Sequence, residues 1–107
     1  MAFKVLIEKP AVSDLHGILK YINETLKEPE AAKRIYKTIK EQILTLKAFP
    51  FRQPLIFGEI FASKGLRKLL VGNYNIFYTV DEENQNVHVL RILYNRREWQ
   101  ALIQASR

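Results

Sequence analysis

A chain of 107 residues, 48% hydrophobic and 26% charged, can bury the core of one domain and is too apolar to remain disordered. It contains no cysteine, which excludes disulfides, thiolate metal sites and cysteine nucleophiles. Seventeen Lys and Arg against eleven Asp and Glu give a formal net charge of +6. That balance favours a polyanionic partner, either nucleic acid or an acidic protein. The alternative is that the positive charge serves solubility alone.

The apolar segments are too short for a membrane span, which needs about 20 consecutive apolar residues. The first ten residues, MAFKVLIEKP, include an acidic side chain and lack the apolar run of about 7–15 residues that a secretory signal requires. Together with the absence of cysteine, these features predict a cytoplasmic protein with no membrane partner, formed as a single domain over residues 1–107.

The N-terminal half predicts one strand followed by two helices. Residues 2–8 alternate loosely between apolar and polar, as in a strand with one buried face. Pro10 and Pro29 each stand where the first turn of a helix tolerates a missing N–H. Apolar side chains then recur at helical spacing, as Val12, Leu15, Ile18, Leu19, Ile22 and Leu26 and then as Ala32, Ile35, Ile39, Ile43 and Leu46. The short link between the two segments predicts an antiparallel hairpin.

Two residues of the first helix carry further information. Asp14 lies in the opening turns, where a carboxylate interacts favourably with the helix dipole. Gly17 interrupts the helix and costs on the order of 1 kcal/mol relative to alanine. It indicates either close packing against a neighbouring element or a glycine tolerated at the surface.

The segment from residue 50 to residue 64 contains two prolines and a glycine, which predict a connection without a long regular element. It is nevertheless rich in large apolar side chains, namely Phe51, Leu55, Ile56, Phe57, Ile60 and Phe61. Such a connection either folds under the core or presents an apolar surface to a partner, and folding under is the simpler interpretation.

Residues 65–99 contain three runs rich in β-branched and aromatic residues, LRKLLV, YNIFYTV and NVHVLRILY. Gly72-Asn73 separates the first two runs and DEENQN separates the last two, a pattern typical of an antiparallel meander. Alternation along the third run places His88, Leu90, Ile92 and Tyr94 on one face. Arg91 then requires a carboxylate or carbonyl partner, which the pattern does not identify.

Trp99, Leu102 and Ile103 have helical spacing, so a short amphipathic helix is expected to close the chain. The predicted fold class is α+β, with an N-terminal strand, an antiparallel helix hairpin, a three-stranded antiparallel meander and a short C-terminal helix. The hairpin is expected to cover one face of the sheet. The other face is left to the C-terminal helix, a partner or a groove.

This order of elements, over nearly the whole chain, resembles the RelE/ParE superfamily of toxins from type II toxin–antitoxin modules, and the ParE side more closely. In the helices the similar residues are Ala11-Val12-Ser13-Asp14-Leu15, Ile18, Tyr21-Ile22, Ala31-Ala32, Ile43, Leu46 and Pro50. In the meander and after it they are Gly65-Leu66-Arg67, Asn73-Tyr74, Phe77-Tyr78, Val89-Leu90-Arg91-Ile92-Leu93 and Arg96-Arg97.

Two positions depart from the superfamily pattern. RelE-type members commonly carry arginine directly after the tyrosine that Tyr74 matches, where this chain has Asn75. Many ParE-like sequences carry histidine where this chain has Tyr94. The resemblance implies that both positions face the open side of the sheet, where the ribonucleases of the superfamily hold the scissile phosphate.

Metal-independent RNA cleavage needs a general base, a general acid and a cation that stabilises the phosphorane. Should this chain catalyse it, the candidate residues are Arg67, Lys68, Tyr94, Arg96 and Arg97. The proton shuttle is the weak part, because a free phenol titrates near 10. His16 is expected to be solvated and His88 to be structural. No Gly-rich phosphate loop or metal-ligand spacing is present, so no metal and no cofactor is expected.

Three functions remain under consideration. The ParE resemblance implies a toxin that binds and inhibits DNA gyrase without performing a reaction. The RelE resemblance implies a ribosome-dependent mRNA endonuclease that needs no metal. The third possibility is a non-toxic basic interaction module.

Both toxin hypotheses imply a cognate antitoxin and a toxin–antitoxin hetero-oligomer. The resemblance implies that such a partner wraps the toxin with helices and an extended, often acidic segment, which suits a net charge of +6. The apolar residues expected to receive the antitoxin are Phe51, Phe57, Phe61 and Trp99.

Overall fold

A computed structural model describes residues 2–95 and 99–105 and confirms the predicted α+β order of elements. In chain order these are β1 (Lys4–Ile7), α1 (Lys9–Lys20), a π-helical turn (Tyr21–Thr25), α2 (Pro29–Leu44), a 3₁₀ turn (Thr45–Lys47), α3 (Glu59–Ser63), β2 (Arg67–Val71), β3 (Tyr74–Asp81), β4 (Asn86–Tyr94) and α4 (Trp99–Ala105). Two short elements were not expected. These are the π-helical turn, where helical spacing predicted a continuous helix to Leu26, and the one-and-a-half-turn α3, where the prolines and glycine predicted no long element. No helix within the described ranges is both long and apolar enough to cross a bilayer.

The four strands form one mixed sheet in the order β1-β4-β3-β2. Strands β2, β3 and β4 form the predicted antiparallel meander, and β1 joins β4 in parallel, with Val5 opposite Val87. The tight turn between β2 and β3 is Gly72-Asn73, and Gly72 has φ of +59°. A two-residue hairpin turn requires a positive φ, which glycine adopts without a steric penalty.

Helices α1 and α2 cover one face of the sheet and bury the main core. The stripe predicted for α2 is confirmed, because Ala32, Ile39, Ile43 and Leu46 are all buried. The stripe predicted for α1 is wrong at its two ends, where Val12 is 51% exposed and Leu26 is 47% exposed. Ala11 is fully buried in place of Val12. The π-helical turn accommodates an extra residue per turn and so shifts the phase before Leu26 is reached.

A β-bulge interrupts the pairing of β3 with β4. Phe77 lies opposite Arg91 whereas Tyr78 lies opposite Val89, so Leu90 is the extra residue. The strict alternation expected along β4 is therefore wrong. Val89 and Ile92 both pack in the helix-side core, while Leu90 packs in the second cluster.

That second cluster covers the other face of the sheet. Its buried members are Leu66, Phe77, Leu93 and Ile103, and Ile56, Phe61, Leu90, Trp99 and Leu102 pack against them. Of the three expected occupants of this face, the C-terminal helix is the one observed. The connection over residues 50–64 folds under in part, because Ile56 and Phe61 reach this cluster while Phe57 is 99% exposed.

Candidate functional site

The basic candidates on β2 are each held by an aromatic side chain. The Arg67 guanidinium carbon lies 4.9 Å from the centroid of the Phe51 ring, and Nη1 donates a hydrogen bond to the carbonyl oxygen of Gln53. The Lys68 ammonium lies 4.9 Å from the centroid of the Trp99 ring. Both distances are within the range of a cation–π interaction, so both cations have a structural role in attaching neighbouring segments to β2.

Tyr94 is not brought together with Lys68. Its ring lies 5.7 Å from that of Tyr74, centroid to centroid, among residues of α1 and α2. Lys68 is level with Phe77 in the sheet, whereas Tyr94 is level with Tyr74. Phe77 and Tyr74 are three residues apart along β3, so Lys68 and Tyr94 are separated by about 10 Å along the strand direction. The side chains also lie on opposite faces, since Lys68 contacts Trp99 on the side of α4.

The two positions that depart from the superfamily pattern do not share an open face. Asn75 is fully buried, and its Nδ2 donates to Asn95 Oδ1 at 2.9 Å. Tyr94 instead faces the helices. The expectation that both face an open side is therefore wrong, because α4 covers one side and the hairpin borders the other. Arg96 and Arg97, the remaining catalytic candidates, lie outside the described residues.

The histidines and buried tyrosines of the described segments are poorly suited to transfer protons beside Arg67 and Lys68. His16 is exposed, as expected, and His88 Nδ1 lies 2.9 Å from Glu8 Oε2, which makes it a structural tie between β4 and the end of β1. Burial raises the pKa of Tyr78, and burial together with the nearby phenols of Tyr94 and Tyr21 raises the pKa of Tyr74. A phenol with a raised pKa is deprotonated at neutral pH even less often than free tyrosine, so less of it can act as a base.

The described residues do not form a recognisable metal-binding cluster. No group of three or more His, Asp and Glu side chains is placed to hold a metal ion among the residues described. These residues can instead bind a partner through positive charge and exposed apolar surface. The charges are those of Arg67 and Lys68, which lie against aromatic rings.

An ion pair that the sequence did not identify connects α1 to β4. Arg91 Nε donates to Asp14 Oδ2 at 2.7 Å and Nη2 donates to Oδ1 at 2.9 Å. The Ile92 N–H also donates to Asp14 Oδ2, at 3.0 Å. The sequence did contain a signal for this contact. Asp14 lies on the same helix face as Ala11 and Ile18, three and four residues away, which places its carboxylate towards the sheet.

One exposed apolar surface surrounds Phe57. The groove there, of about 380 Å³ and here named the Phe57 groove, is lined by Pro54, Leu55, Phe57, Phe61, Lys68 and Trp99, among others. Three of the four residues expected to receive an antitoxin therefore lie together. The fourth, Phe51, is 47% exposed and contacts Phe3 and Arg67 beside the groove.

A second and larger depression lies on the opposite side of the sheet, between the hairpin and the ends of β3 and β4. It has a volume of about 930 Å³, and we name it the tyrosine groove for Tyr21, Tyr74 and Tyr94, which line it. Sequence reasoning missed this groove. The only signal was that Tyr21 and Leu26 continue an apolar stripe beyond the point where the helix can bury it.

The molecule is a small basic α+β domain with a helical hairpin on one sheet face, a short helix on the other and two exposed apolar grooves. Residues 5–99 match the family model described as the ParE toxin of the type II toxin–antitoxin system parDE, and the chain belongs to this family. The chain is a type II toxin of the ParE/RelE superfamily, as its resemblance implied. Among curated proteins, no sequence matches it significantly.

Solved structures with the same fold come from both branches of the superfamily. A chain of the chromosomal ParDE system of Pseudomonas aeruginosa has a TM-score of 0.71 at 21% identity, over 87% of this chain and 96% of that one. A chain of a RelBE complex from Mycobacterium tuberculosis has a TM-score of 0.63 at 21% identity, over 88% and 99%. A free-state mutant of Escherichia coli RelE has a TM-score of 0.65 at 12% identity, over 98% of each chain.

Proposed function

We propose that this toxin arrests growth by binding and inhibiting DNA gyrase, without performing a reaction, and that a cognate antitoxin neutralises it. The observation that carries the proposal is the separation of Tyr94 from Lys68, on opposite faces of the sheet. Acid–base cleavage of RNA requires the proton-transfer groups and the cation to converge within hydrogen-bonding distance of one phosphate. The match to the ParE family model supports the same function.

A supercoiling assay tests this function directly. Purified toxin at micromolar concentration is added to purified gyrase with relaxed plasmid, and loss of supercoiling is expected. Toxin preincubated with an equimolar amount of antitoxin is the control and should leave gyrase active. Full supercoiling at ten micromolar toxin would rule the proposal out.

We propose that the antitoxin binds at the Phe57 groove. Phe57 is 99% exposed, which is an unfavourable position for a large apolar side chain unless a partner covers it. Lys68 lines the same groove and suits an acidic partner. The groove therefore combines an apolar anchor with a basic rim, the usual anatomy of a protein-binding site.

A ribosome-dependent mRNA endonuclease is the second candidate, and the fold shared with the free-state mutant of Escherichia coli RelE favours it. It predicts codon-positioned cuts when transcript ends are mapped after induction. It also predicts that Tyr94→Phe abolishes growth arrest if Tyr94 transfers a proton. The gyrase proposal predicts intact messages and growth arrest by Tyr94→Phe within about twofold of wild type.

A further inference from the structure

Helix α2 and the segment directly after it concentrate the positive charge of the chain. Residues 29–52 contain six of the seventeen Lys and Arg side chains but only two of the eleven Asp and Glu. This stretch is less than a quarter of the chain, yet it supplies two thirds of the formal net charge of +6. Neither the proposed inhibition of gyrase nor the proposed antitoxin contact uses this charge, which is therefore available to another partner.

Four of these basic side chains lie in a row on α2 and the 3₁₀ turn that follows it. Lys33, Lys37 and Lys40 recur at four- and three-residue spacing, and Lys47 continues the row in the 3₁₀ turn. All four side chains are exposed. The row, here named the lysine track, follows about 22 Å of helix axis.

The lysine track is not neutralised by neighbouring carboxylates. Lys37, Lys40 and Lys47 form no ion pair among the residues that the structure describes. Lys33 Nζ lies 3.6 Å from Glu30 Oε1, but the two side chains are 78% and 84% exposed, and such a surface pair is weak. Glu41, the other carboxylate of α2, is exposed as well. The track therefore keeps a positive potential that attracts a polyanion.

The C-terminal end of the lysine track leads to aromatic side chains. Leu44 and Lys47 line a depression of about 400 Å³ together with Phe3. The ring of Phe3 meets the ring of Phe51 edge-on, with 6.3 Å between the centroids. Phe51 in turn lines a second depression, of about 430 Å³, which we name the Phe49 depression. Its lining residues are Ala48, Phe49, Pro50, Phe51 and Arg52.

Phe49 and Arg52 are the groups of this depression that the fold leaves open to a ligand. Phe49 is 67% exposed, whereas Phe51 is already in contact with other side chains. Arg52 is exposed, and its Nη1 donates to Thr45 Oγ1 at 2.7 Å and to Gln42 Oε1 at 3.5 Å. Because both acceptors are neutral, they orient the guanidinium without cancelling its charge. A cation is thus held ready beside an exposed aromatic ring.

A row of cations that ends at an exposed aromatic ring suits a single-stranded nucleic acid. Successive phosphates can contact the lysines while an unpaired base stacks on the ring. A duplex keeps its base faces inside its own stack, so it offers Phe49 nothing to stack on. A helix that lies on a membrane needs an apolar face along its length, whereas Leu44 and Phe49 lie at one end of the track.

We propose that this surface binds single-stranded nucleic acid, with the lysine track and Arg52 contacting phosphates and Phe49 stacking on a base. The inference goes beyond the proposed inhibition of gyrase and does not depend on it. The site is also separate from the Phe57 groove and the tyrosine groove, because no lysine of the track lines either of them.

The salt dependence of binding tests the phosphate contacts. Fluorescence anisotropy measures the affinity of the full toxin for a labelled thymidine oligonucleotide of about 12 nucleotides, a length typical of such sites. Each phosphate contact adds about 0.7 to the slope of log affinity against log salt, so the four track lysines and Arg52 predict a slope of about −3.5.

Lys37→Gln with Lys40→Gln removes two of these contacts and should reduce the slope to about −2. Lys9→Gln with Lys20→Gln, at exposed positions of α1, is the matched control. It makes the same change in net charge and should leave the slope unchanged. Equal slopes for the two pairs of substitutions would overturn the proposal.

Phe49→Ala tests the stacking contact. It should weaken binding about fivefold or more and leave the salt slope unchanged, because it removes a ring and no charge. Its thermal midpoint should stay close to that of wild type, since the side chain is 67% exposed. Phe57→Ala removes the same ring from a position that is 99% exposed, and it should change the affinity less than twofold. Equal effects of the two substitutions would also overturn the proposal.

Further probes identify the nucleic acid and test other occupants. Tighter binding of a uridine oligonucleotide would assign the site to RNA and tighter binding of the thymidine one to DNA, and equal affinity is expected if phosphates and base faces alone are recognised. A duplex of the same length should bind more weakly, and a duplex that binds as tightly as the single strand would contradict the stacking.

Absence of oligonucleotide binding at low salt would overturn the inference outright. Binding to phosphatidylserine vesicles in its place would assign the surface to a membrane. These measurements contain neither gyrase nor antitoxin, so their failure leaves the proposed function standing. The supercoiling assay contains no single-stranded oligonucleotide, so its failure in turn leaves this inference standing.

Discussion

Arg91 and Asp14, separated by 77 positions in the chain, form a two-point ion pair with N···O distances of 2.7 and 2.9 Å. The side chains retain 20% and 14% of their exposure, so the pair is largely removed from water. It lies next to the β-bulge, and Asp14 also accepts from the Ile92 N–H there. The Asp14 hydrogen bond also raises the pKa of Arg91, which stays charged at any pH of interest. One carboxylate thus fixes α1 to the irregular part of β4.

Removing one partner of this pair should destabilise the fold strongly. We expect Asp14→Ala to lower the free energy of unfolding by about 2–3 kcal/mol, because a largely buried guanidinium loses the carboxylate that neutralises it and a backbone N–H loses its acceptor. Urea denaturation measures the change. The double variant Asp14→Leu, Arg91→Met should recover part of the loss, since no unpaired charge remains. A single-variant effect below 0.5 kcal/mol, on the order of an exposed pair, would contradict this account.

The buried phenol of Tyr78 predicts a stability loss at alkaline pH. The side chain is fully buried, its hydroxyl has no hydrogen-bond partner in the described part of the chain, and burial raises its pKa above 10. A folded-state pKa above the unfolded value stabilises the fold below pH 10, and this contribution disappears as the pH rises through the folded pKa.

Tyr78→Phe should therefore be neutral or stabilising at pH 7, because it removes an unsatisfied polar group. It should also reduce the decline in thermal midpoint between pH 9 and pH 11. Tyr36→Phe, at a residue 44% exposed, is the control and should decline like wild type. An identical alkaline decline in all three proteins would show that Tyr78 does not contribute.

Phe57 offers a clean test of the proposed antitoxin surface. Because its side chain is 99% exposed, Phe57→Ser should not lower the free energy of unfolding. It should raise the antitoxin dissociation constant at least tenfold, as expected for an aromatic anchor. Lys33→Ala, at an exposed position where the ammonium lies 3.6 Å from Glu30 Oε1, should have little effect. Comparable losses in the two variants would place the contact elsewhere.

Trp99→Ala should weaken antitoxin binding as well, but its stability must be measured alongside. Its ring packs 5.1 Å from Phe77 and 5.6 Å from Phe61, centroid to centroid, so the variant also loses core contacts. A thermal midpoint several degrees lower is expected for Trp99→Ala and not for Phe57→Ser. If Phe57→Ser were the less stable of the two, the exposed position of Phe57 would be in doubt.

Two glycines should respond to alanine with opposite signs. Gly17→Ala should stabilise the fold by about 0.5–1 kcal/mol, because the position is helical and open. Gly72→Ala should destabilise it by about 1–2 kcal/mol, because φ of +59° is unfavourable for a residue with a Cβ. Denaturant titration of the two variants checks both signs. A destabilising Gly17→Ala would indicate that α1 is packed more closely at that point than observed.

The predictions that were confirmed depended on local patterns. Helix α2 has its buried residues where helical spacing placed them, and Gly72-Asn73 forms the turn that its composition indicated. Most of the candidate site could not be obtained in this way. Phe57, Phe61 and Trp99 were each selected for their apolar character, and only the fold brings them to one groove, whereas Tyr94 was assigned to the wrong face.

The sequence by itself determined the strands, the two long helices and their order, because side-chain periodicity and turn chemistry act over a few neighbouring residues. Its motifs carried the resemblance to the family. Tertiary structure alone decided the bulge at Leu90, the acceptor of Arg91 and the side of the sheet on which Tyr94 lies. The bulge changes which face each following residue occupies, and its position reflects how two helices and a sheet pack together. That packing separates Tyr94 from Lys68, the relationship on which the proposed function depends.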